Sequence, residues 1–216
     1  MYPDADDTLR DLLRALIDER ERWGADVATD SLDRRIRSGW DACEDAKVLL
    51  QWAARGLDLR SLVRAACACA RTALVHVAAD QPRLAIECAE AWLDGKSSAE
   101  DVLRASDAAH EASFSAPTEA AEHAAESAAL AARAVSAAVA AIAQFGVDSG
   151  HAGDAANEAA RAHTVARAAR PDAPSEWFED EELARDRARM AEVVRQVLAC
   201  PLSTDVRAKA LARGRP

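Results

Sequence analysis

Aromatic residues are scarce in this chain: five Trp, three Phe and one Tyr among 216 residues. Proline and glycine are nearly as rare, at seven and eight, and there are two methionines. No stretch alternates β-branched with polar residues, so no strand is expected. No apolar run approaches the roughly 20 residues of a membrane span, and no membrane partner is expected. Basic residues are in deficit, 27 Lys and Arg against 37 Asp and Glu, for a net charge of −10. That balance argues against a general nucleic-acid or anionic-membrane binder, because phosphate contacts need clustered Lys and Arg. The start, Met1-Tyr2-Pro3-Asp4, carries acids where an export leader carries Lys or Arg. With an odd number of cysteines (Cys43, Cys67, Cys69, Cys88 and Cys200), it points to reduced thiols and a cytoplasmic location. There is no C-x-x-C, and no zinc-type Cys and His spacing, so no metal site is expected. Cys67 and Cys69 lie two apart on a helix, about 200° around it, and cannot clamp one ion together. The cysteines are expected to be small core residues.

What the sequence has instead is alanine, 55 of its 216 residues. Alanine is the best helix former, and its small side chain lets helices approach closely. Apolar residues at helical spacing predict a first helix over 4–23. A second helical stretch follows over 30–55, broken at Gly39 with Ser38 capping the second piece. Asp58 starts a strongly apolar helix to Ala78, expected to be the central one. Asp80-Gln81-Pro82 opens the next, closed by Asp94-Gly95. Ser97-Ser98-Ala99-Glu100-Asp101 is a capping box that opens a helix to Phe114. Two Ala-dominated helices are expected over 118–145 and 154–170, with Leu130, Val135, Val139, Ile142 and Val165 almost their only large aliphatics. A last long helix runs from Pro174 to Ala199, burying Leu183, Met190, Val194 and Val197. The predicted fold is all-α: a single domain, 1–200, of seven to eight mostly antiparallel, Ala-rich helices. The basic C-terminal tail, 201–216, lies outside it.

Chemistry is sparsely marked. Gly146 to Gly153 is glycine-rich but has no preceding strand and no Lys-Ser/Thr end. It reads as a flexible loop between helices, not a phosphate loop. No two of His76, His110, His123, His151 and His163 are three or four apart, so none form a same-face pair. Asp107 with His110, and Glu119, Glu122, His123 and Glu126, read as solvated helix faces; the Glu-x-x-His copies of a di-metal bundle are missing. No catalytic, cofactor-binding or metal residue is expected. Two acidic groups around aromatics are the candidate partner-binding surfaces. One is Glu176, Glu179, Asp180, Glu181 and Glu182 around Trp177 and Phe178; the other is Asp41, Glu44 and Asp45 near Trp40 and Trp52. Each reads either as ordinary helix construction with a core Trp, or as an aromatic anchor in an acidic rim suited to a basic protein.

Several segments together resemble the immunity proteins of bacterial polymorphic-toxin systems, in the family numbered five. Trp40-Asp41-Ala42-Cys43 leading to Leu49-Leu50-Gln51-Trp52-Ala53-Ala54 is similar to that family's opening helix, and Leu62 to Leu74 to its core helix. The most specific stretch runs from Asp80-Gln81-Pro82-Arg83 through Ala85-Ile86-Glu87 to Trp92-Leu93-Asp94-Gly95. The Ala-rich arm and the ending Met190-Ala191-Glu192-Val193-Val194-Arg195 also fit. The resemblance covers roughly 32–200; the helix within 4–30 and the tail lie outside it, and Pro82-Arg83 reverses the family's order at that turn. It implies a non-enzymatic protein that binds a cognate toxin and blocks it by occlusion. The alternative is a helical scaffold or adaptor in a bacterial defence or signalling assembly. A third reading, an enzyme or small-molecule binder, requires a concave site where at least three Trp, His or acidic side chains converge.

Overall fold

The computed structural model describes residues 34, 37–56, 59–144, 150–169, 179–198 and 200. The chain divides into two compact units, Met1–Cys43 with Cys200–Pro216, and Glu44–Ala199. In the first, a helical segment over 37–42 carries the buried Trp40. The predicted helix over 4–23 and the basic tail lie outside the described residues.

The second unit holds seven α-helices among its described residues: α1 Ala46–Gly56, α2 Leu59–Ala73, α3 Asp80–Leu93, α4 Ala99–Phe114, α5 Glu119–Gln144, α6 Gly150–Ala168 and α7 Glu179–Val197. A 3-10 turn, Leu74–His76, follows α2. Every regular element described is helical, as composition and spacing predict.

The local reasons for these elements are visible in their caps. Asp45 starts α1, its Oδ1 accepting the amides of Lys47 (2.8 Å) and Val48 (3.3 Å). The expected break at Gly39 therefore falls at residues 43–45, and Gly39 lies inside the helical segment. A glycine within a helix costs about 1 kcal/mol, which one turn tolerates, whereas an aspartate cap actively stops and restarts the ladder. Helix α3 ends in a Schellman turn: Lys96 N–H donates to Ala91 O (2.8 Å) and Gly95 N–H to Trp92 O (3.0 Å), with Gly95 at φ +73°. The predicted capping box is formed by Ser98 and Asp101, whose backbone and side-chain groups exchange bonds both ways. These bonds hold the Asp101 carboxyl below its ordinary range.

The expected central helix does sit in the middle: α2 packs against α1, α3, α5, α6 and α7. It shares that position with α5, which packs against α2, α3, α4 and α6. Being surrounded explains how Cys67 and Cys69 are both buried although they point to different sides. Burial pushes both thiols up to about 12. Cys43, Cys88 and Cys200 are only half-buried, so the expectation of core cysteines holds for two of the five. Helix α2 stops at Ala73, earlier than predicted. Its last turn tightens to 3-10 and Val77 is extended (φ −117°, ψ 132°), which delivers His76 to one end of the bundle.

Consecutive helices α4 to α7 run antiparallel. Ser106 bonds Ala129 O and His110 bonds Glu126 across α4–α5; Ser127 bonds Ala155 O and His123 bonds Glu158 across α5–α6; Thr164 bonds Asp186 and Asn157 bonds Arg187 across α6–α7. The buried face of α5 is alanine: Ala124, Ala125, Ala128, Ala129, Ala131 and Ala132 are fully buried. Of its large aliphatics, Val135 is buried, Leu130 half-buried and Val139 41% exposed. The apolar periodicity of the large residues therefore marks this face poorly; small side chains take it because they let α4 and α6 come close. The glycine-rich stretch also departs from expectation. Residues 145–149 lie outside the described residues, but Gly150 to Gly153 form the first turn of α6. There a Cβ on Gly153 would stand 2.8 Å from Lys47 Cγ, so this glycine serves a close approach to α1.

Candidate functional site

The predicted partner-binding acids divide by what they touch. Asp41 and Glu44 are exposed, while Asp45 is half-buried and caps α1. Glu176, Trp177 and Phe178 lie outside the described residues, as does the side chain of Glu179, which begins α7. Asp180 and Glu181 are exposed on the first turn of α7. Glu182 is half-buried and forms ion pairs with Arg167 (3.3 Å) and Arg185. Two of these acids thus work inside the fold.

The group read as a solvated face, Glu119, Glu122, His123 and Glu126, also works partly inside. His123 Nδ1 meets Glu158 Oε2 at 2.7 Å and His110 Nδ1 meets Glu126 Oε2 at 2.5 Å, linking α4, α5 and α6. The Glu158 contact holds the His123 imidazole above its ordinary pKa against the opposing effect of burial. Glu119 and Glu122 remain exposed at the start of α5. Phe114, the last residue of α4, is 77% exposed and packed edge-on against His110. Glu111, one turn before Phe114, is exposed as well. Val75, 78% exposed, belongs to the same end of the bundle. Its 3-10 turn packs on α5 and α6, and His76 meets His163, which the antiparallel pairing of α5 with α6 brings level with the start of α5.

A different constellation forms a cleft of about 480 Å³ lined by His76, His163, Ala166, Arg167 and Arg189. Three elements build it. His76 comes from the 3-10 turn. His163 and Arg167 stand one turn apart on α6. Asp186 and Arg189 stand three apart on α7, with Asp186 fully buried behind the cleft wall. Asp186 accepts from Thr164 Oγ1 (2.8 Å), from Arg167 and from Arg189 Nη1 (3.2 Å). A buried carboxylate needs this many partners to be tolerated. Arg167 Nε is buried without a hydrogen-bond partner among the described residues.

The two imidazoles are arranged in a directed chain. With its one hydrogen on Cys69 O (2.7 Å), the nearer of its two other acceptors (Met190 Sδ is at 3.5 Å), Thr72 Oγ1 accepts from His163 Nε2–H (3.1 Å). His163 Nδ1 is then an acceptor and takes the Nε2–H of His76 (3.0 Å). The lone pair of His76 Nδ1 is left over at the end of the chain. Burial lowers the pKa of both rings; His76 lowers that of His163 further, and the Asp186 charge opposes the shift in both without reversing it. Two neutral imidazoles and two guanidiniums therefore face the cleft, and among the described residues its lining holds no carboxylate. Among the described residues no group of three or more His, Cys, Asp or Glu is placed to hold a metal ion.

Sequence reasoning passed over this cleft. His76 and His163 are 87 residues apart, and no spacing rule joins them. Asp186 did carry a signal: it stands in register with Met190 and Val194, both buried, at intervals of four. Of the three converging Trp, His or acidic side chains that the small-molecule reading requires, the described lining supplies two, His76 and His163, and Asp186 lies behind its wall. Comparison with family models, curated proteins and solved structures finds no match for this chain.

Proposed function

We propose that the chain acts by binding another protein, as an immunity protein that occludes a basic toxin domain. The observation that carries this reading is Phe114, exposed at a helix end with exposed Glu111, Glu119 and Glu122 around the α4–α5 hairpin and exposed Val75 at the same end of the bundle. An aromatic anchor within an acidic rim suits a basic partner: the ring supplies burial, the acids steer the encounter. The net charge of −10 works in the same direction. The resemblance of residues 40–95 to immunity proteins supplies the kind of partner. The cysteines described are all free thiols, in keeping with a reducing, cytoplasmic setting. Asp41, Glu44, Asp180 and Glu181, exposed elsewhere, would extend the steering field.

The test is co-expression with toxin domains encoded beside the gene. Binding at micromolar strength or better, with rescue of growth, is expected. Phe114→Ala should weaken binding by about 2 kcal/mol, as truncation of an interface anchor does. Reversing Glu119 and Glu122 to Lys should slow association most at low salt. Absence of both binding and rescue would end the immunity reading. Binding to a larger assembly without rescue favours the scaffold reading.

A further inference from the structure

The cleft between the 3-10 turn, α6 and α7 is left unused by that reading. We propose that it is a binding site for a small phosphate monoester, whose oxygens are held by Arg189 and Arg167 and whose one remaining hydroxyl donates to Nδ1 of His76. The inference stands on three features. First, among the described residues the lining presents donors of positive charge and no carboxylate. In the ion-pair group that holds the lining arginines, as far as the described residues go, the guanidiniums of Arg167, Arg185 and Arg189 outnumber the carboxylates of Glu182 and Asp186 by three to two. Second, Asp186 is fully buried and grips both lining arginines from behind, so their planar groups are oriented before any ligand arrives. Arg189 keeps most of its surface: its side chain is 65% exposed, and Asp186 is its one partner among the described residues. Third, the Thr72–His163–His76 chain leaves an acceptor on His76. A carboxylate has no hydrogen to offer that lone pair. A phosphate monoester has one, because its second proton leaves only near pH 6. The volume, about 480 Å³, exceeds that of a phosphate group and falls in the range of small-molecule pockets, which leaves room for the esterified part.

The full chain is titrated at about pH 6 and constant ionic strength with inorganic phosphate, with glycerol 1-phosphate and with acetate. The readouts are calorimetry and the ring ¹⁵N resonances of the histidines. The two phosphates should shift the His76 and His163 resonances and bind at least about tenfold more tightly than acetate. Arg189→Gln should lose at least about tenfold of that affinity while its circular dichroism and urea midpoint stay within reach of the parent. Arg189→Lys should recover part of it, because charge is restored without the fork. Acetate binding as tightly as phosphate, ring resonances unmoved at about 10 mM phosphate, or unchanged affinity in Arg189→Gln would each overturn the proposal. The Arg–Asp–Arg group would then be an ion-pair network of the fold alone. None of these results depends on toxin binding, so the two readings fail separately.

Discussion

Asp186 concentrates more consequence than any other side chain described. It is fully buried on α7 and answers Thr164 and two arginines. Removing it leaves Arg167, already carrying one unpartnered nitrogen, without its main counter-charge. Asp186→Ala should therefore destabilise the fold by about 3 kcal/mol, read as a fall in the urea midpoint. The histidines give a signed pH dependence. His76 and His163 are held neutral, with pKa values below the ordinary 6.5. Their contribution is whole above that value and drains as pH falls through their folded pKa, because the unfolded chain takes up the protons. His123 runs the other way: its pKa is raised, so its contribution is whole below 6.5 and is lost as pH rises through the folded value. Replacing His163 by Gln should flatten the loss of stability as pH falls below 6.5, and replacing His123 by Gln should flatten the loss as pH rises above 6.5, in paired urea titrations. The thiols divide as well. Cys67 and Cys69, pushed up to about 12, should resist a thiol reagent until the chain unfolds, while the half-buried cysteines react in the native protein.

At the level of elements, the most local instructions carried furthest. The turn after α3 and the box before α4 are built from residues within five positions of each other, and both were legible from Asp94-Gly95 and from Ser98 with Asp101. Ser98→Ala should cost about 1 kcal/mol, since one helix-end amide loses its acceptor. Gly95→Ala should cost about 1 kcal/mol for a different reason: the space for a Cβ is empty, but the positive φ is not open to an L-side chain at no cost. Both are read from thermal or urea midpoints. The start of α6 was not legible, because Gly150 and Gly153 look like helix breakers in one dimension. Only the proximity of Lys47, more than a hundred positions earlier, explains why one of them belongs inside the helix. The face of α5 was hidden for a related reason. Sequence periodicity weighs large aliphatics, and here Val139 points outward while alanines fill the interface. The cleft lay beyond reach because its histidines meet only after α2 and α6 have packed.

Across the whole molecule, the interior is assembled from pieces that are individually small, and this decides which changes it can absorb. Across the α5–α6 contact, Ser127 bonds Ala155 O, with Ala131 and Ala159 one turn further along each helix, both fully buried. Ala131→Leu or Ala159→Leu should destabilise by about 1–3 kcal/mol through overpacking, despite the better burial of a larger apolar group elsewhere. Ser127→Ala should cost only about 1 kcal/mol, since the carbonyl it bonds remains within a helix. A Leu-built interior is injured by subtraction, when a lost methylene leaves a void. This seam has almost nothing left to subtract, so its tolerance is one-sided: it withstands trimming and fails by wedging. Alanine also has no side-chain torsion to freeze, so the alanines of the two helices surrender no rotamer freedom on meeting. They close like two flat blocks, with a single way to fit.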